Sequence, residues 1–297
     1  MRTLYNKIIR LVQVAGLICL GACAEEYVVS TDTLQIDVPG VAAKLLEYRD
    51  KVQQTDLIAT SMPDLDRDTA IAIQLSMLEQ EISRGAKHVG WKMGGTGASN
   101  AADFDPSFGY VLESNLVQPG GDFSLSRAPT SAARVEAEVG FVLSRDLPDG
   151  VATIEELRGS IAYVTGAVEI VQQIAVAADG GPAPTNDVIA SGLAQLAVIQ
   201  GDTEIPLDEY GGAPEVARCL VDGELATEGT STKIWGGPLN ALFALANLLP
   251  QHGEYLKAGQ IVVTGSLYSN PTVDSEARVQ LEFSTLGNID FTISAAE

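Results

Sequence analysis

The stretch Ala133-Arg134-Val135-Glu136-Ala137-Glu138-Val139-Gly140-Phe141-Val142-Leu143 decides how the chain is read. It alternates as a β-strand does, so Val135, Ala137, Val139 and Phe141 share one apolar face while Glu136 and Glu138 share the other. Two neighbouring carboxylates repel unless a proton or cation lies between them, and hard oxygen ligands of this kind favour Mg²⁺ or Mn²⁺. The same spacing also fits a solvent face carrying ordinary exposed acids.

Outward from this strand, further short strands are expected. Residues 218–225 form a hairpin about Asp222-Gly223, residues 260–264 a short buried strand, and residues 279–293 a pair that folds back near Gly287-Asn288. Helical signals cover residues 41–52, 66–84, 154–171 and 238–249. In the second of these Ile71, Leu75, Leu78 and Ile82 recur on one side and Gly85 supplies the stop; the last opens with Pro238. Strands dominate from Val89 onward without a regular strand-helix alternation. The expected fold is therefore α+β: a mixed, mostly antiparallel β core with peripheral helices and an N-terminal helical part, residues 40–88, before a β part, residues 89–297.

Composition narrows the function. The 297 residues include 39 Asp plus Glu against 18 Lys plus Arg, a net charge of −21. Phosphate binding needs a cationic surface that releases counterions, so an unassisted nucleic-acid binder is excluded, and anionic membrane surfaces are disfavoured for the same reason. The first 22 residues have the parts of an export signal: basic Arg2, Lys7 and Arg10, an apolar run from Leu11 to Leu20, and small residues Gly21 and Ala22. Leu20-Gly21-Ala22-Cys23 resembles a bacterial lipobox, which implies cleavage before Cys23, lipidation of its thiol and anchoring at the cell envelope. Three of the 18 basic residues and none of the 39 acidic ones precede Cys23, so the remainder carries 15 against 39, or −24. Residues 23–39 suit a tether. Cys219 would then be the one unmodified cysteine, a small buried hydrophobe in a strand.

No Gly-x-Ser-x-Gly elbow, phosphate loop or paired His/Cys zinc cluster occurs, and Gly94-Gly95-Thr96-Gly97 lacks a following Lys-Ser/Thr. His88 and His252 read as structural. Glu169 stands out in Ala167-Val168-Glu169-Ile170-Val171, where an unpaired carboxylate would be costly. Lys92, in Val89-Gly90-Trp91-Lys92-Met93-Gly94, has a flanking environment that would desolvate its ammonium and lower its pKa toward the useful acid-base range; a surface lysine on a strand is the other reading. Thr264-Gly265-Ser266 ends an apolar strand and either offers hydroxyl and backbone donors to an anionic ligand or is a plain turn.

Taken in order, Ala70-Ile71-Ala72-Ile73-Gln74, Gly90-Trp91-Lys92-Met93-Gly94, Arg134-Val135-Glu136-Ala137-Glu138, Glu169, Gly237-Pro238-Leu239-Asn240-Ala241 and the run from Lys257 to Gly265 resemble the 2-keto-4-pentenoate hydratase and 4-oxalocrotonate decarboxylase group of the fumarylacetoacetate hydrolase superfamily. The resemblance spans residues 40–293. It implies a fumarylacetoacetase C-terminal-like β-roll, a divalent Mg²⁺ or Mn²⁺ held by Glu136, Glu138 and Glu169, acid-base chemistry at Lys92, and a substrate-facing hydroxyl at Thr264. The implied activity is hydration of an unsaturated 2-oxo or 2-hydroxydienoic acid such as 2-hydroxypenta-2,4-dienoate. The same site would serve decarboxylation or tautomerisation, and an exported chain that kept the metal without turnover would be an envelope 2-oxo-acid-binding lipoprotein. A homo-oligomer is also implied. The chain departs from the group at Ser107, where an acidic residue usually precedes Phe-Gly, and at Gly237, where His is usual. Because an anionic substrate must approach an anionic protein, Lys92, Arg134 and the metal are expected to make a locally positive substrate pocket.

Overall fold

Asp37 opens the first helix by accepting a hydrogen bond from the Gly40 N–H at 3.1 Å, with Pro39 in the first turn, where a missing N–H costs nothing. This computed structural model describes residues 36–98, 100–172, 174–177 and 181–296. The export signal, Cys23 and nearly all of the tether lie outside the described residues. Helix α1 (Val38–Asp50) starts three residues before the expected boundary, because Asp37 caps it there, and buries Ala42, Leu45 and Leu46. After β1 (Thr55–Asp56) and α2 (Ile58–Ser61) comes α3 (Arg67–Ser83), capped by Asp66, whose side chain accepts from the Thr69 N–H at 2.7 Å.

The buried stripe of α3 is rotated from the expected one. Ala70, Ile73, Gln74 and Met77 lie at its centre with Ile71 and Leu78 beside them, while Ile82 is 47% exposed. Polar Gln74 takes a core position because its amide donates at 2.9 Å to the Phe108 carbonyl. That carbonyl belongs to β3, at the end of its sheet, where no strand can take the bond.

The β part comprises β2 (His88–Gly94), β3 (Ser107–Leu112), β4 (Leu116–Val117), β5 (Asp122–Ser124), β6 (Ala133–Leu143), β7 (Ile161–Val171), β8 (Ala175–Val176), β9 (Gln195–Gln200), β10 (Val216–Val221), β11 (Glu224–Thr230), β12 (Ile261–Val263), β13 (Thr272–Val273), β14 (Ala277–Phe283) and β15 (Asn288–Ser294). Helices α4 (Ile154–Arg158), α5 (Thr185–Ala190) and α6 (Pro238–Leu248) interrupt it. One sheet runs β3-β2-β12-β6-β7-β9-β4 with β13 added to β6, a second runs β11-β10-β14-β15-β5, and β1 pairs with β8. Among the described residues, eight of the twelve strand pairings are antiparallel, which makes the core mixed and mostly antiparallel as expected. Cys219 is buried in β10. No helix among the described residues is long and apolar enough to cross a membrane.

Residues 154–171 are not one helix. Thr153 caps α4 through a bond from the Glu156 N–H at 3.1 Å, Gly159 ends it, and the chain then runs as β7. Val164, Thr165, Val168, Ile170 and Val171 are β-branched and favour the extended form. This correction matters for the site, because it puts Glu169 on a strand beside β6.

Candidate metal centre and its cavity

The antiparallel register of β6 and β7 sets Glu136 directly opposite Glu169, and Glu138 opposite Ala167. Directly opposed residues have Cβ atoms roughly 5 Å apart on one face, and Glu138 follows Glu136 on that face by alternation. The result is three carboxylates whose oxygens lie within 4.8 Å of one another. Glu138 and Glu169 are wholly buried and Glu136 is half-buried.

Each carboxylate is held by one group. Glu138 Oε2 accepts from the Gly265 N–H at 2.6 Å, Glu136 Oε1 from the Asn270 amide, and Glu169 Oε1 lies 2.9 Å from Lys92 Nζ. Gly265 can present its N–H this way because it adopts φ +108°, and a Cβ there would overlap Thr96 Oγ1. Lys92 on β2 is itself buried, and Gly109 opposite it on β3 leaves room for its stem: a Cβ at 109 would stand 3.2 Å from Lys92 Cδ.

Glu138 Oε1 and Glu169 Oε2 have no hydrogen-bond partner among the described residues. Buried, unpartnered carboxylate oxygens are costly, and this pair of atoms asks for a proton or a cation. Burial pushes the Glu138 carboxyl well above the usual range, and the charges of Glu169 and Glu136 push it the same way against the Gly265 N–H and Lys92. Burial also raises Glu169 to about 7, although Lys92 opposes it. The cluster thus retains protons where an ordinary carboxylate would not, and a hard divalent cation fits the donor set by replacing them.

For Lys92 the sequence expectation needs correcting. Burial pulls its pKa down, as the apolar neighbours suggest, but the charges of Glu169, Glu136 and Glu138 and the bond to Glu169 outweigh burial and leave the pKa above the ordinary lysine value. Lys92 is a held ammonium beside an uncompensated carboxylate cluster.

Lys92 and Glu136 open onto a cavity of about 450 Å³ whose wall also includes Arg134, Lys233, Gly265 and Ser266. Arg134, two residues before Glu136 on the same face of β6, is exposed at this wall. The structure therefore brings Lys92, Arg134 and the three carboxylates to one place. Thr264 is adjacent but turned inward: it is fully buried and its hydroxyl donates to the Val139 carbonyl at 3.0 Å, while the next two residues line the cavity. Ser107 lines the cavity, as does Asp105, which pairs with Arg67 at 3.2 Å. Gly237 lies on another cavity, at the start of α6. His88 packs edge-on against Trp91, ring centroids 4.5 Å apart, and His252 lies near Phe108; neither lines the carboxylate cavity. Asn270 and Lys233 were not legible as site residues, since each comes from a loop or short turn with no pattern to mark it. Gly265 carried a signal only as part of Thr264-Gly265-Ser266.

Residues 84–294 match the family model described as fumarylacetoacetate (FAA) hydrolase C-terminal. A 4-oxalocrotonate decarboxylase of a Pseudomonas species is 27% identical over 258 residues, 84% of this chain and 98% of that protein. A 2-keto-4-pentenoate hydratase of Paraburkholderia xenovorans is 31% identical over 219 residues, 70% of this chain and 76% of that one. Among solved structures, a 4-oxalocrotonate decarboxylase from Pseudomonas putida complexed with magnesium and adipate superposes with a TM-score of 0.79 at 22% identity, covering 86% of this chain and 97% of that one.

Proposed function

The chain belongs to the fumarylacetoacetate hydrolase family, and from that premise we propose that it is a divalent-metal-dependent hydro-lyase that adds water to an unsaturated 2-oxo or 2-hydroxydienoic acid such as 2-hydroxypenta-2,4-dienoate. The observation that carries this reading is the juxtaposition of three convergent carboxylates, two of them with unpartnered buried oxygens, and a buried lysine, with Glu136 and Lys92 opening onto one cavity.

Glu136, Glu138 and Glu169 would hold Mg²⁺ or Mn²⁺, a Lewis acid able to chelate the carboxylate and oxo oxygen of a 2-oxo acid and to stabilise enolate charge. The protein's own part is proton management. Lys92 is the proton carrier: its ammonium sits at the cavity wall and, once the carboxylate charges beside it are compensated, burial becomes the dominant influence and lowers its pKa. It can then give a proton to the dienol carbon chain and recover one from the adding water, so the sum is one water across one double bond. Gly265 and Asn270 fix Glu138 and Glu136 in place, which keeps the carboxylates from turning toward solvent.

The likeness to a decarboxylase over nearly the whole of that relative favours a second reading, loss of CO₂ from a 2-oxo diacid through the same enolate stabilisation. Turnover of 2-hydroxypenta-2,4-dienoate and CO₂ release from 4-oxalocrotonate, measured side by side with Mg²⁺ or Mn²⁺, decides between them. Hydration without CO₂ is the expected result; no turnover of either acid by protein with demonstrably bound metal overturns both, and favours a 2-oxo-acid-binding lipoprotein.

The proposal includes place and assembly. The lipobox-like Leu20-Gly21-Ala22-Cys23 supports export and anchoring through a lipidated Cys23, and labelled fatty acid should enter the wild-type chain but not Cys23→Ala. Family membership supports a homo-oligomer, which light scattering of the purified protein tests.

A further inference from the structure

A second cavity, of about 310 Å³, has on its wall a positive charge that nothing around it balances. It lies where the ends of α1 and α3 meet β3 and β9, and the carboxylate cluster does not border it. Four charged residues line it. Arg49 pairs with Glu81, and Asp50 with Arg84 at 3.3 Å, so those charges cancel. Arg127 is left over.

Arg127 ends a short 3-10 turn, Leu125–Arg127, and its guanidinium lies over the buried Phe123 ring, 5.1 Å from the centroid. Stacking of this kind fixes the plane of the guanidinium fork. Its Nη2 donates to the Ser114 and Leu196 carbonyls at 3.4 Å each, and no carboxylate pairs with it among the described residues. Burial without a compensating acid pulls its pKa below the ordinary arginine value. Nε and Nη1 keep their N–H groups for a ligand.

Two neighbours ask for the same occupant. Gln195 begins β9 beside Leu196, whose carbonyl Arg127 holds, and its Nε2 is buried with no acceptor among the described residues. A buried donor without an acceptor is costly, and an oxygen ligand removes that cost. Val52 follows the C-cap of α1 at φ +52°, the left-handed position that helices usually give to glycine. A β-branched residue is strained there, and such strain gathers at ligand sites. Glycine would relieve it, but the valine side chain supplies apolar wall, together with Leu112, Pro129, Ile174 and Leu196.

We propose that this cavity binds a small monocarboxylate with an apolar body, its oxygens on the Arg127 fork and the Gln195 amide and its hydrocarbon against Val52. One carboxylate balances the one spare charge, whereas a second would face Asp50 and Glu81. The site stands apart from the metal-dependent reading, since no residue lines both cavities.

Pentanoate, 1-pentanol and glutarate, equal in carbon count, test it by calorimetry on the full chain. Pentanoate should bind the wild type at least about tenfold more tightly than 1-pentanol, and a tenfold excess of glutarate should not displace it. Arg127→Met should weaken pentanoate by at least about tenfold, and Gln195→Leu, which keeps the volume and the charge, by about three- to tenfold. Arg134→Gln, on the wall of the carboxylate cavity, should leave the affinity unchanged. Absence of pentanoate binding, or its displacement by glutarate, overturns the site. Should Arg127→Met fail to fold, Gln195→Leu decides: an unchanged affinity in that variant means that the acid is held elsewhere and overturns the proposal.

Discussion

Lys92 is the residue on which two roles can be separated. Its ammonium competes with a cation for Glu169, so removing it should not weaken metal binding. Lys92→Met is expected to bind Mg²⁺ or Mn²⁺ at least as tightly as the wild type by calorimetry, while turnover of 2-hydroxypenta-2,4-dienoate falls by roughly 10²- to 10⁴-fold, the usual contribution of a positioned acid-base group. Unchanged turnover would remove Lys92 from the chemistry. The carboxylates give a second expectation at this scale. With Glu169 raised to about 7 and Glu138 raised as well, a cation entering below pH 7 must displace protons. Apparent metal affinity should therefore rise about tenfold per pH unit for each proton displaced as pH approaches 7 from below. Calorimetry at pH 6 in buffers of different ionisation enthalpy reads the released protons directly, and a buffer-independent heat would contradict the raised carboxyls.

At the scale of elements, α3 and β3 are joined through one buried amide. Gln74→Leu keeps the volume but leaves the Phe108 carbonyl without its donor, and should cost about 1–3 kcal/mol in denaturant unfolding with no change in metal affinity. The hydrophobic stripe read from the sequence missed this contact, because an apolar count has no way to place a glutamine in the core and so drew the stripe toward Ile82. The misreading of residues 154–171 has a related cause. β7 lies between β6 and β9 and is buried on both faces from Val164 onward, so the alternation that made β6 legible is absent from it. Alternation put Glu136 and Glu138 on one face of β6 but left ordinary exposed acids open, and an apolar setting singled out Glu169; only the family resemblance grouped the three. What joins the three is the register Glu136 to Glu169, which depends on pairing distant segments and is written in no local pattern. Thr264 shows the reverse limit: the correct segment could be chosen, but which of its three residues faces the cavity follows from the φ +108° at Gly265.

Across the whole molecule these titrations set stability against pH in opposite directions. Burial lowers His88 from 6.5 to about 4, with the Lys257 charge adding to it and the Gly90 carbonyl partly offsetting it. The native state prefers the neutral ring, so this stability is full above 6.5 and about 3 kcal/mol is lost as pH falls toward 4. Glu169 is raised instead, so its contribution is full below the ordinary carboxylate value of 4.5 and is lost as pH climbs through about 7. In metal-free protein the two losses oppose each other between pH 4.5 and 6.5 and flatten the profile. Metal changes the carboxylate side only, because a bound cation stabilises the deprotonated cluster that burial penalises. The increment from metal should therefore be small near pH 5, where protons hold the site, and large near pH 8. At a hundredfold excess over Kd it amounts to about 2.7 kcal/mol, or roughly 5–10 °C in Tm for a chain of this size. Thermal melts with and without Mg²⁺ at the two pH values read this difference, and an equal shift at both would show that the carboxylates do not bind the metal through proton displacement.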